Sequence, residues 1–111
     1  MIRALSGDDL GVPRIPVALL VEWVEGGKRV VFSYARQGNG ITIHLAAKRD
    51  SLYCLEAALN DFCEWLFWAY EWCEMIFGII GRKSLERLAM KCGFVWLTRT
   101  PDYEIYVRMK P

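Results

Sequence analysis

The chain has a single histidine, His44, and none of its four cysteines, Cys54, Cys63, Cys73 and Cys92, forms a C-x-x-C pair. Structural zinc needs about four nitrogen or sulfur ligands at short spacings, so this sequence holds no metal-ligand set. No leader-like segment opens the chain, and the thiols are expected to be reduced and buried, in a protein that is not secreted. Charge bias is also missing. A net charge of +1 gives no overall attraction to nucleic acid or anionic lipid and leaves room only for a local basic patch. Long uncharged apolar runs are absent too. The greasiest window, Leu52 to Ile80, carries Glu56, Asp61, Glu64, Glu71 and Glu74, which are costly in a bilayer, so no membrane association is expected. There are no repeats and no low-complexity segments.

What is present is a surplus of apolar and aromatic residues. They make up 54% and 14% of the 111 residues, which excludes a disordered chain and suits one domain over 1–111 with its own core. "MIRAL" reads as a short strand, and "SGDDLGVPRIP" as turns with room for one helical turn at most. Val17–Val24, Lys28–Arg36 and Ile41–Ala47 are apolar or alternating segments separated by "EGG" and "QGNG", which predicts a three-stranded antiparallel meander.

From Ser51 to about Tyr70 the apolar residues Leu52, Leu55, Leu59, Phe62, Leu66 and Ala69 recur at steps of three and four, the pattern of an amphipathic helix. Glu74–Ile80 reads as a strand covered on both faces and paired in parallel. "RKSLERLAMKCG" predicts a second helix with Gly93 as a left-handed cap. "FVWLTR" and "YEIYVRMK" follow as a terminal hairpin around "TPD". The helix between Ile41–Ala47 and Glu74–Ile80 is a right-handed crossover, which makes those two strands parallel.

This order, β-β-β-β-α-β-α-β-β, resembles the GNAT fold of acyl-CoA-dependent N-acyltransferases. So do "MIRALSGDDL", like that family's opening strand with its "IR" pair, and "SLERLAMKCGF", like its late helix ending in "GF". The resemblance implies an α+β fold with a mixed, mostly antiparallel sheet, one central parallel pair and two main helices. In the family a [QR]-x-x-G-x-[GA] loop after the fourth strand binds the pyrophosphate of coenzyme A at a helix N-terminus. With Lys48 at the first position, Ser51 and Tyr53 fall where small residues belong, and Tyr53 is expected to occupy the ligand's space. The family's usual tyrosine acid and asparagine fall at Ala89 and Arg82. Only about ten residues, "GDDLGVPRIP", stand where two helices normally shape the acceptor pocket.

Two functional readings follow from the resemblance. The first is a non-catalytic form similar to small internal-virion or head-assembly proteins of short-tailed bacteriophages, found in the virion or host cytoplasm, with no cofactor. Its partner is another virion protein or a second copy, and Trp65, Trp68, Trp72 and Trp96 are its interface candidates, or else core residues. The second is an active N-acetyltransferase holding acetyl-CoA between strands 41–47 and 74–80. Its cofactor-binding residues are then Ala46, Ala47, Lys48, Arg49 and Ser51, and its catalytic candidates are His44 and Glu22 as base and Tyr103 (or Tyr106) as acid. Each candidate also has a plain structural role open to it, and the departures at Tyr53, Ala89 and the missing helices favour the first reading.

Overall fold

A computed structural model describes residues 1–111. In chain order its elements are β1 (Ile2–Ala4), β2 (Leu19–Glu25), β3 (Lys28–Gln37), β4 (Gly40–Ala47), a 3-10 helix (Arg49–Cys54), α1 (Leu55–Ala69), β5 (Met75–Ile80), α2 (Lys83–Lys91), β6 (Val95–Arg99) and β7 (Glu104–Met109). They form one mixed sheet in the order β1-β2-β3-β4-β5-β7-β6. Every neighbouring pair is antiparallel except β4 with β5, which α1 connects. The α+β class, the parallel pair and the two main helices agree with the expected architecture.

Both helices lie on one face of the sheet. Phe62 of α1 is fully buried and stacks on Phe32 of β3 at 4.1 Å between ring centroids. Tyr106 of β7, on the same face by register, donates its hydroxyl hydrogen bond to Glu86 of α2. The buried stripe of α1 is Ala58, Leu59, Phe62, Cys63 and Leu66, and complete burial of one such large side chain contributes about 2 kcal/mol. Leu52 and Ala69, assigned to that stripe from periodicity, are exposed. Leu52 sits in the 3-10 helix, whose three-residue turn moves it off the line that the α-helix continues.

The C-terminus of α2 closes as the sequence predicts. Gly93, with φ 83°, donates to Met90 O, and Phe94 N–H donates to Ala89 O. This pair of bonds is a Schellman cap, and a side chain at position 93 would be strained in it. The ring of Phe94 is buried beside it.

The opposite face is covered only by the link of residues 5–18, which contains turns and no helix. Ser33 donates to Pro13 O, and Arg29 to Asp8 O, which ties the link over β3. β5 was expected to be covered on both faces. Its Ile76, Gly78 and Ile80 are buried, but Met75, Phe77 and Ile79 are only half-buried, because so short a link does not reach across that half of the sheet.

Candidate functional site

The β4–β5 register runs from Gly40 opposite Met75 to Ile43 opposite Gly78, and stops there. β4 continues to Ala47 while remaining paired to β3, and β5 continues to Ile80 while remaining paired to β7. The inner edges of His44–Ala47 and Ile79–Ile80 therefore face each other with no strand between them. Backbone N–H and C=O groups on such edges need partners, and an extended ligand with amide groups supplies them.

The gap opens into a cleft of about 550 Å³. Leu59 of α1, Leu85 and Leu88 of α2, and Phe94 form apolar walls on the helical side. Pro13 and Ile15 of the link lie on the other side. The polar side chains lining this cleft are His44, Arg82, Thr100 and Tyr103. His44 is half-buried, and burial lowers its pKa below the usual histidine value. It is therefore the neutral imidazole at pH 7, able to accept a proton. Tyr103 is about half exposed at the mouth.

The other expected site residues are arranged differently. Glu22 does not line the cleft. It is buried on β2, where Arg3 and Arg29 each place a guanidinium nitrogen 3.1 Å from its carboxylate. Burial raises its pKa, but the hydrogen bonds from Arg29 and Arg3 outweigh that and hold the carboxyl below its ordinary value. A carboxylate locked by two cations is a poor base. Tyr106, the other phenol considered, is buried against Glu86 and lies outside the cleft lining.

Ala46 and Ala47 lie on the free edge of β4, beyond the residues that line the cleft. Lys48 and Arg49 are exposed at the start of the 3-10 helix. Ser51 is buried: its N–H donates to Lys48 O at 2.9 Å and its hydroxyl to Asp50 at 3.1 Å. It therefore turns neither group outward. Tyr53 projects into solvent, 76% exposed and outside the cleft lining. The backbone here winds into a 3-10 helix, with the Ser51 N–H bonded to Lys48 O and the Leu55 N–H to Leu52 O.

The tryptophans divide. Trp65 and Trp72 pack against the core, Trp72 beneath the Arg36 guanidinium at 3.9 Å, whereas Trp68 and Trp96 are exposed. Sequence reasoning did not identify Pro13, Ile15, Leu85, Leu88 or Phe94 as cleft residues. The sequence places Leu85 and Leu88 on a helix stripe, Phe94 at the start of a strand, and Pro13 and Ile15 in a turn segment, and only the tertiary arrangement turns them toward one cavity. No set of three His, Cys, Asp or Glu side chains is placed to hold a metal ion, and no helix is long and apolar enough to cross a membrane.

Neither a family model nor a curated protein sequence matches the chain. Among solved structures, the Campylobacter jejuni N-acetyltransferase PseH in complex with acetyl coenzyme A matches with a TM-score of 0.74. The match covers 87% of this chain and 71% of that one, at 9% sequence identity. The fold is the GNAT fold. At that identity the likeness establishes architecture alone.

Proposed function

We propose that this GNAT-fold protein binds an acyl-pantetheine thioester in the β4–β5 cleft and transfers the acyl group to an amine. The observation that carries this reading is the parting of β4 and β5 beyond Ile43 and Gly78, which leaves two unpaired strand edges above an apolar cavity. The fold shared with an N-acetyltransferase solved with acetyl coenzyme A supports it. The cleft fits the amide-bearing arm and a small acyl group, whereas the 3-10 helix fits the nucleotide phosphates poorly.

The thioester supplies an electrophilic carbonyl, and the chain's residues supply the rest. The edges of β4 and β5 orient the arm, while Leu59, Leu85, Leu88 and Phe94 exclude water. His44 accepts a proton from the attacking ammonium-derived amine, whose nitrogen forms the new C–N bond as the C–S bond breaks. Tyr103 donates a proton to the departing sulfur. Acid–base assistance of this kind contributes about 10² to 10⁴ in rate.

A second reading, a non-catalytic interaction module such as a bacteriophage virion or assembly protein, is favoured by a different observation. Val95, Trp96 and Leu97 form an exposed apolar run on the edge strand β6. Thermal unfolding with and without millimolar acetyl-CoA or acetyl-phosphopantetheine separates the two readings, because binding to the native state raises the midpoint. A shift abolished by Leu45→Trp, which fills the cleft, supports the first reading. No shift with either thioester overturns it and leaves the second.

A further inference from the structure

Building on the acyl-pantetheine reading of the cleft, we propose that the arm arrives attached to an acidic carrier protein that docks on the basic surface of α2, rather than as free coenzyme A. Two independent features of the surface lead there.

The first is the scant grip for a nucleotide. From Ser51 onward the amides of Arg49–Cys54 bond within the turn, with Ser51 N–H donated to Lys48 O and the Leu55 N–H donated to Leu52 O. The exposed Asp50 carboxylate, 3.6 Å from Lys28, adds a negative charge to the same turn. A pantetheine arm on a carrier has one phosphodiester and no nucleotide, so it needs no such cradle.

The second is the segregation of charge around the cleft. Lys48 and Arg49 follow β4, and Arg82 and Lys83 follow β5, so all four stand at the carboxyl ends of the parallel strands that part to form the cleft. Lys83, Arg87 and Lys91 recur every fourth residue on α2, off the side that lines the cavity with Leu85, Leu88 and Ala89. All six basic side chains are exposed and none is in an ion pair. The one acid on α2, Glu86, is engaged by the Tyr106 hydroxyl. Five acids stand on α1 and just beyond it, as Glu56, Asp61, Glu64, Glu71 and Glu74, while the exposed Asp102 lies between the cleft residues Thr100 and Tyr103. A net charge near zero thus conceals a positive face beside the cleft.

That face works against the helix carrying it. Like charges four residues apart repel, and cations at a helix N-terminus oppose its dipole. An acidic partner reverses both effects and also speeds encounter. The stripe is displaced from the cavity walls, so a carrier seated there can pass its arm over the helix end at Arg82 into the cleft.

Titrations of the full chain with four probes test this: acetyl-CoA, acetyl-phosphopantetheine, and an acidic carrier protein in its acetylated holo and its apo forms. The acetyl-holo carrier should bind at least about tenfold more tightly than acetyl-CoA, and that advantage should vanish between about 50 and about 500 mM salt. Lys83→Glu and Arg87→Glu should abolish the advantage and leave acetyl-phosphopantetheine binding unchanged. Lys83→Glu places an acid where the helix dipole favours one, so the variant should remain folded.

Equal affinity for acetyl-CoA and the acetyl-holo carrier overturns the docking proposal and leaves the cleft reading standing. So does an apo carrier, or a DNA duplex, that binds as tightly as the acetyl-holo form. Failure of acetyl-CoA and acetyl-phosphopantetheine alike overturns the cleft reading itself.

Discussion

Ile43 and Gly78 are the last residues paired between β4 and β5, and beyond them the two strands part while each stays bonded to its outer neighbour. His44, the next residue on β4, consequently stands at the opening with its ring half-buried. This one register position determines where the sheet opens and which titratable side chain stands at the opening.

His44 should govern the acid limb of any acyl-transfer activity. Burial favours the neutral ring, so the limb should fall below the ordinary histidine value of about 6.5. His44→Gln should remove that limb and lower kcat/KM by about 10² or more at pH 7, with thermal stability little changed. An unchanged pH–rate profile in the variant would assign proton removal to another group.

Glu22 and its two arginines should control acid stability. The folded carboxyl has a lowered pKa, so the unfolded chain binds the proton more readily. The stabilisation is full above the unfolded value of about 4.3 and is lost as pH falls through the lower folded value. Arg29→Met, which removes the more buried of the two partners, should cost about 3 kcal/mol at pH 7, and Arg3→Met distinctly less, as read by urea denaturation. The difference between Arg29→Met and the parent should shrink as pH falls through the lowered folded pKa of the carboxyl.

Gly40 should not tolerate a side chain. A Cβ there would stand 2.8 Å from Met75 Cγ and from the Phe77 ring, and 3.1 Å from Met75 O, at the first paired position of the parallel register. Gly40→Ala should therefore destabilise by about 1–3 kcal/mol. Differential scanning calorimetry should show a lowered midpoint, and a midpoint at or above the parent's would show that the strands can move apart there at no cost.

The cysteines should label unequally. Cys63, Cys73 and Cys92 are buried, and burial pushes the Cys63 thiol up to about 12, whereas Cys54 is partly exposed. A small thiol reagent at pH 8 should modify Cys54 first, and the other three only as fast as the chain opens. Mass spectrometry of briefly treated native protein should find a single adduct on Cys54.

Much of this architecture was readable before any coordinates. The meander, the crossover helix, the parallel strand and the Gly93 cap each follow from a local pattern of period two, period 3.6 or turn chemistry, which the chain carries within a dozen residues. The sites were less legible. Glu22 looked like an available carboxylate because its partners, Arg3 and Arg29, lie on two other strands. Trp65 and Trp68 are alike in the sequence, yet one packs on Tyr34 and Phe62 and the other faces water.

The stretch from His44 to Leu55 marks the boundary between the two kinds of knowledge. Residue types alone determined that a strand runs there into a helix without the glycines of a phosphate loop. Only the tertiary structure decided that Tyr53 turns outward, that the loop winds into a 3-10 helix, and that the strand parts from β5 after Ile43. Hydrogen-bond periodicity is local and is written in neighbouring residues. Cavities and ion pairs are contacts between distant segments, and they exist only once the sheet has brought those segments together.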